Sequence, residues 1–498
     1  MKVAQFLDHH QLTANPFSFE DAQADLLFQR HCSRDTFHPA WDKILGQLES
    51  PATSVVFGEK GSGKTALRIQ IVQQCEEFNQ QHPQRRIFVV EYDDFNPFLD
   101  AYQQRLNWWQ RSPQRALSRI RLWDHMDAIL SLAITRLLDL LIDESADVDL
   151  KQRAEKMSAT AKRDLLLLAT CYDRSRKHGP EERLLRLRQL LRTEGWRERI
   201  ESWWPLMLGG VTTLGLLSML VRAGELRQLE HWWPWLIVLA AWIPWLIRHA
   251  VLLRISWSIR RQLRMLERRW WHLYRLFARF TPRALQGQPI PTRERSDDRY
   301  ALLSKLQQVL HELGYEHLLV VIDRLDEPHL INGSAERMKL LLWPLLDNKF
   351  LKHPRMALKL LLPSELSYYL LKENRDFYER SRLDKQHLIR SLEWTGESLY
   401  DLANDRLRAV AVHPSTAAQL NIRNWFEPSI TPAELIAIFG RLRVPRHLFK
   451  FLHRLLIEHC QRYVDQQPRW EIGRETLQAT LAVFLRELDL QDRGMGTG

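Results

Sequence analysis

Short apolar runs, each followed by a stretch with helical spacing, recur along this 498-residue chain. Residues 54–57 read as a short buried strand and 65–79 as the helix that follows it. Further strands are predicted at 85–92, 317–323 and 357–362, with 387–392 a weaker candidate for the last one. Helical periods mark 117–142, 162–172 and 399–407, and 431–460 reads as two helices split at Val444-Pro445-Arg446. Strands separated by helices predict an α/β fold: a doubly wound parallel sheet with its ligand site at the carboxyl edge of the strands.

Two stretches break this alternation. Residues 203–221 are 19 positions without a charge, and 232–247 are 16, extended by 250–253 beyond Arg248-His249. At about 1.5 Å per residue the first spans close to the thickness of a bilayer core, and the second does so if Arg248 reaches to the interface. Trp203, Trp204, Trp232, Trp233, Trp235, Trp245 and Trp257 cluster near the segment ends, where interfacial aromatics sit. Pro205, Pro234 and Pro244 are better tolerated in membrane helices than in soluble ones. The pair reads as a transmembrane hairpin, against the alternative of a buried helical hairpin in a large soluble domain. Residues 254–280 alternate Arg with Trp and Leu in a way that suits anionic lipid.

The expected organisation is therefore an N-terminal segment (1–50), a first part of the core (51–112), a helical stalk (113–202) and the hairpin (203–253). A basic juxtamembrane helix (254–300), a second part of the core (301–400) and a C-terminal helical lid or winged-helix-like region (401–498) follow.

Charge refines this picture. The chain carries a formal +11, and residues 181–283 hold 18 Arg and 8 Glu with no Lys or Asp, a net of +10. Nearly all of the imbalance thus belongs to the insert, so nucleic acid is an unlikely partner of the near-neutral remainder. Residues 254–283 carry nine Arg and one Glu, whereas the connector 222–231 carries two of each. Under the positive-inside rule both flanks stay cytosolic and the connector crosses. Four scattered cysteines without CxxC spacing fit a reducing cytosol, and the polar first thirty residues show no apolar signal-peptide region.

The candidate chemistry sits on either side of the hairpin. Gly58-Glu59-Lys60-Gly61-Ser62-Gly63-Lys64-Thr65 has the GxxxxGK[ST] spacing between a strand and a helix. Its glycines let the backbone wrap a phosphate, and the helix N-terminal amides point at the anion. Lys64 is then expected at the β- and γ-phosphates of ATP and Thr65 on Mg²⁺. The strand 317–323 ends in Asp323, a second metal-side candidate, followed by Arg324-Leu325-Asp326-Glu327. Arg324 stands where a paired carboxylate is common, leaving Asp326 and Glu327 as candidates to orient an attacking water. Ser364 or Glu365, at the tip of 357–362, could sense the γ-phosphate. Arg446, opening a C-terminal helix, is the preferred arginine to contact it, with Arg382 a candidate acting across subunits. No NKxD-like guanine-reading tetrapeptide occurs, which favours ATP over GTP.

These motifs, with a hairpin between them, resemble the KAP group of P-loop NTPases. The sequence Asp323-Arg324-Leu325-Asp326-Glu327 is closer to the Asp-Gly-Leu-Asp-Glu of NACHT-type signalling ATPases, so the chain looks like a member of the wider STAND/AAA+-like assemblage. Asn15-Pro16-Phe17 is similar to the N-terminus of some ExeA-like ATPases. The resemblance implies an ATP-driven switch or scaffold at the cytosolic face of the bacterial inner membrane, working as a homo-oligomer or with an effector protein. Some relatives serve defence against phage. Two other classes remain open: an AAA+ loader or initiator acting on nucleic acid, and a nucleotide-binding scaffold with little hydrolysis.

Overall fold

A computed structural model describes residues 1–32, 36–142, 148–175, 179–193, 196–223, 231–464 and 467–492. Most of the connector 222–231 lies outside the described residues.

Five strands form one all-parallel sheet: β1 (Ser54–Gly58), β2 (Arg86–Tyr92), β3 (Tyr315–Ile322), β4 (Met356–Pro363) and β5 (His387–Ile389), in the spatial order β2-β3-β4-β1-β5. The chain is mixed α/β, as its alternating pattern predicts. β1 is an interior strand, pairing with β4 from Ser54↔Lys359 to Gly58↔Pro363 and with β5 from Ser54↔His387 to Val56↔Ile389. β1 and β4 are buried at every position, which explains their continuous apolar runs in place of alternation. The weak signal of β5 has a plain cause: it is three residues long and half-buried at two of them.

The chain divides into two compact units. The first comprises 1–83, 319–339 and 346–498. It holds β1, β4, β5 and the helix Lys64–Gln81, together with a helical core built from Gly396–Ala409, Pro432–Leu442, Pro445–Arg462 and Arg474–Asp492. Phe6, Leu7, Leu12 and Phe17 belong to the same buried cluster as Leu399, Trp425, Phe439, Leu452 and Phe484. The N-terminus is therefore an integral layer of the C-terminal helices. Asn15 fixes it twice: its Oδ1 accepts from the Phe17 amide at 3.0 Å, and its Nδ2 contacts His453 Nδ1 at 2.9 Å. Phe17 meets the edge of Trp425.

The second unit comprises 84–318 and 340–345. The segment expected as a stalk is part of its core. Residues 117–142 break into Pro113–Leu117 and Leu122–Ile142, and thirteen residues of the longer helix are buried, among them Asp124, His125 and Asp127. Its polar look comes from charges that are paired inside: Asp127 with Arg299, Asp124 with Arg264, and Asp173 with Arg183. Arg264 belongs to the segment expected to lie on lipid, which instead sends Leu263, Met265, Leu266 and Leu273 into this core.

Two helices of this unit, Trp196–Arg222 and Trp232–Gln262, contain stretches long and apolar enough to cross a membrane, 203–222 and 232–262. Both run through their internal prolines, Pro205 and Pro244. The most apolar window of each is 17% and 11% buried, so these are not the core helices of a folded unit.

Candidate functional site

The Gly-rich turn 58–65 leaves the end of β1 and enters the helix Lys64–Gln81. Gly61 has φ +90°, and a Cβ there would stand 2.7 Å from Arg446 Cβ, so only glycine admits this close approach. The turn is pinned from two directions. The Arg446 amide donates to Gly61 O at 3.4 Å, and Trp394 Nε1 donates to Ser62 O at 2.9 Å.

Lys64 Nζ donates to the carbonyls of Gly58 and Glu59 at 2.8 and 3.0 Å. Burial lowers its pKa, opposed by the charges of Asp323, Asp326 and Glu365. Next to it, Thr65 Oγ1 donates to Asp323 Oδ2 at 3.1 Å across 258 positions of sequence. Asp323 is 1% exposed at the end of β3, and Arg68 Nε lies 3.5 Å from the same oxygen. Burial raises the Asp323 pKa, while the Arg324 amide, Arg68 and Thr65 hold it back.

Lys60, Gly61, Gly63, Lys64, Thr65, Asp323, Asp326, Glu327 and Arg446 all line one cavity of ≈ 180 Å³, within the first unit. The other expected residues lie outside its lining. Gly58, Glu59 and Ser62 shape the turn, and Ser364 joins it through its amide, which donates to Gly58 O at 3.0 Å. Glu365 opens the helix after β4 and acts on Lys64 through charge. Arg382 is in left-handed backbone at the end of the helix Arg375–Ser381 and does not line the cavity.

Arg324, at φ +57°, also lines the cavity. It donates to Gln23 Oε1 at 2.5 Å and lies 3.5 Å from Glu327 Oε1. Glu327 has its pKa raised, by partial burial first and by Asp326 and Asp323, with Arg324 opposing.

The far wall comes from parts of the sequence without a motif. Phe19, Asp21, Asp25 and Phe28 line it, together with Thr36, His38, Gln70, Trp394 and Arg406. Arg406 ties this wall together: it pairs with buried Asp25, donates to Pro16 O at 2.7 Å and stacks over Phe449. The His38 ring meets Trp394 edge-on at 4.8 Å, and Gln70 donates to Thr36 O at 2.7 Å. Arg68 and Gln70 lie on the helix that Lys64 opens, close to the motif in sequence; no local signal existed for Asp25 and Arg406, 381 positions apart.

Two donors in and beside the cavity, Ser62 Oγ and Arg446 Nε, are buried without a hydrogen-bond partner. Among the described residues no group of three or more His, Cys, Asp or Glu could hold a metal ion. Cys75, Cys171 and Cys460 are buried and in no disulfide; the Cys32 side chain lies outside the described ones. Comparison with protein-family models, with curated proteins and with solved structures finds no match to this chain.

Proposed function

We propose that the chain is a membrane-anchored P-loop ATPase that acts as an ATP-dependent switch or scaffold at the cytosolic face of a bacterial inner membrane. One observation carries this reading: the Thr65 hydroxyl meets the Asp323 carboxylate beside the Lys64 ammonium, at the lining of a single cavity. The parallel sheet brings the two strand ends near each other, and their polar atoms meet at 3.1 Å although 258 positions separate them in sequence.

The residues fit a magnesium nucleotide. Lys64, the amides opening the helix Lys64–Gln81 and Arg446 would hold phosphate oxygens, and the buried unpartnered Arg446 Nε is a donor suited to one. Thr65 and Asp323 would hold Mg²⁺, an ion that takes one or two protein oxygens and completes its shell with water and phosphate. That suits a site with no larger ligand cluster among the described residues. The bound Mg²⁺ would supply charge neutralisation along the phosphate chain. Asp326 or Glu327 would orient the attacking water; partial burial raises the Glu327 pKa, which makes it a stronger proton acceptor than a solvated carboxylate.

The exposed apolar helices 203–222 and 232–262 support the membrane anchor. The arginine excess of 254–283 supports a cytosolic placement for the segment that follows. A second reading, a binding scaffold with little hydrolysis, is favoured by the 3.5 Å contact of Arg324 with Glu327, which engages the candidate base.

Equilibrium binding of a fluorescent ATP analogue to the purified chain, with turnover measured alongside, tests both readings. Lys64→Ala is expected to abolish binding, and Glu327→Gln to keep binding while lowering turnover by roughly 10²-fold or more. Binding unchanged in Lys64→Ala would defeat the site assignment. Equal turnover in wild type and Glu327→Gln would favour the scaffold.

A further inference from the structure

The second unit contains a separate cavity of ≈ 460 Å³ that the nucleotide reading does not use. Five cations line it, Lys162, Arg163, Arg188, Arg192 and Arg279, and no lining residue is acidic. They come from three segments: the first turns of the helix Ala159–Tyr172, the end of Pro180–Leu191, and residues 279–284. Met157, Leu166 and Phe280 add an apolar wall.

The cations are held in place. Lys162 Nζ donates to Glu155 O at 2.6 Å, and Arg188 donates to Arg279 O at 2.8 Å while stacking over Phe280. Arg163 pairs with Asp164 at 3.0 Å and Arg192 with Glu155 at 2.9 Å. Glu181 stands 3.9 Å from Arg279. Asp164, Glu155 and Glu181 offset three of these charges from outside the lining, and the lining itself remains cationic, which favours an anion in the hollow. Guanidinium forks match phosphate oxygens in geometry as well as charge.

The place of the cavity adds a second constraint. Arg248 is the first charge after the uncharged run 232–247, and it donates to Ala278 O at 3.1 Å and to Phe280 O at 3.3 Å. Tyr274 and the neighbouring His249 are also hydrogen-bonded, at 2.6 Å. The segment that lines the cavity is therefore fastened to the hairpin at the first charge after the uncharged run 232–247. A basic hollow with an apolar wall at that level is suited to a lipid headgroup.

We propose that this cavity is a second site, binding a phosphate-bearing anion, with the headgroup of an anionic phospholipid as its first source and a soluble phosphate compound as the other. The lipid source rests on the membrane reading of the hairpin; the phosphate chemistry does not.

The test uses the full chain, purified in detergent and offered phosphatidylglycerol, phosphatidylcholine or inorganic pyrophosphate, with bound molecules counted by native mass spectrometry. The expected result is selective retention of phosphatidylglycerol. Lys162→Gln combined with Arg192→Gln should weaken it at least about tenfold, and the charge-keeping Lys162→Arg alone should leave most of it. Retention of pyrophosphate without phosphatidylglycerol supports the phosphate site and overturns its lipid source. Equal retention of both lipids with no pyrophosphate binding, in protein that keeps its wild-type circular dichroism and ATP binding, overturns the proposal.

Discussion

Asp127 and Arg299 are both sealed from solvent and pair at 3.2 Å, and the Tyr172 hydroxyl donates to Asp127 at 2.8 Å. Leaving one buried charge unpaired costs about 3–5 kcal/mol, whereas replacing both with apolar groups is often neutral. Arg299→Met should therefore lower stability by about that amount in chemical denaturation, and Asp127→Leu in the same chain should restore most of it. Nearby, His125 is fully buried, accepting at Nδ1 from Tyr92 (3.3 Å) and donating from Nε2 to Leu341 O (2.8 Å). Burial depresses its pKa to about 4 from 6.5. The unfolded chain thus binds the proton first, so stability from this residue is complete above pH 6.5 and falls as pH drops toward 4, by roughly 3 kcal/mol in all. Denaturation midpoints across that range should show the fall in wild type and a flatter curve in His125→Phe. None of these interior charges was legible as such. A buried Asp and a solvated one have the same letter, and only the long-range partner distinguishes them. The meeting of Lys64, Thr65 and Asp323 was legible because each lies beside the end of an apolar strand run in a recognisable spacing.

At the scale of elements, the two apolar helices pack through one small residue. A Cβ at Gly209 would fall 2.7 Å from the Trp242 ring, whose Nε1 donates to Thr213 Oγ1 at 3.1 Å. Gly209→Leu should separate the helices there, read as a shift in Trp242 emission and loss of cysteine cross-linking between them. Unchanged cross-linking would mean that the pair is held elsewhere. The hairpin and four of the strands were plain in the sequence, because their apolar runs are long or bounded by Gly, Pro and charge. The break at 118–121 was not, since Ile120 is buried within it and keeps the helical rhythm of its neighbours. The N-terminal layer was equally hidden. Thr13 donates to Val410 O at 2.9 Å, a pairing across almost 400 residues that no local pattern can announce.

At the scale of the whole molecule, one unit carries the candidate nucleotide site and the other carries the apolar helices and the basic cavity. The two are interleaved in sequence, the first in three pieces and the second in two. The parallel sheet was readable from alternation, but the role of 113–200 was not: a helix with charges on it reads as solvated until its partners are known. The proposed anchor makes a direct prediction. Alkaline carbonate should leave the chain in the membrane pellet, and release into the supernatant would contradict the hairpin. The central claim concerns the meeting of Thr65 and Asp323 beside Lys64. Its most direct test is the Mg²⁺ dependence of ATP affinity in wild type and Asp323→Asn. Wild type should bind ATP more tightly with Mg²⁺ than without, and Asp323→Asn should lose most of that difference while keeping its metal-free affinity. An identical Mg²⁺ effect in both proteins would contradict the account.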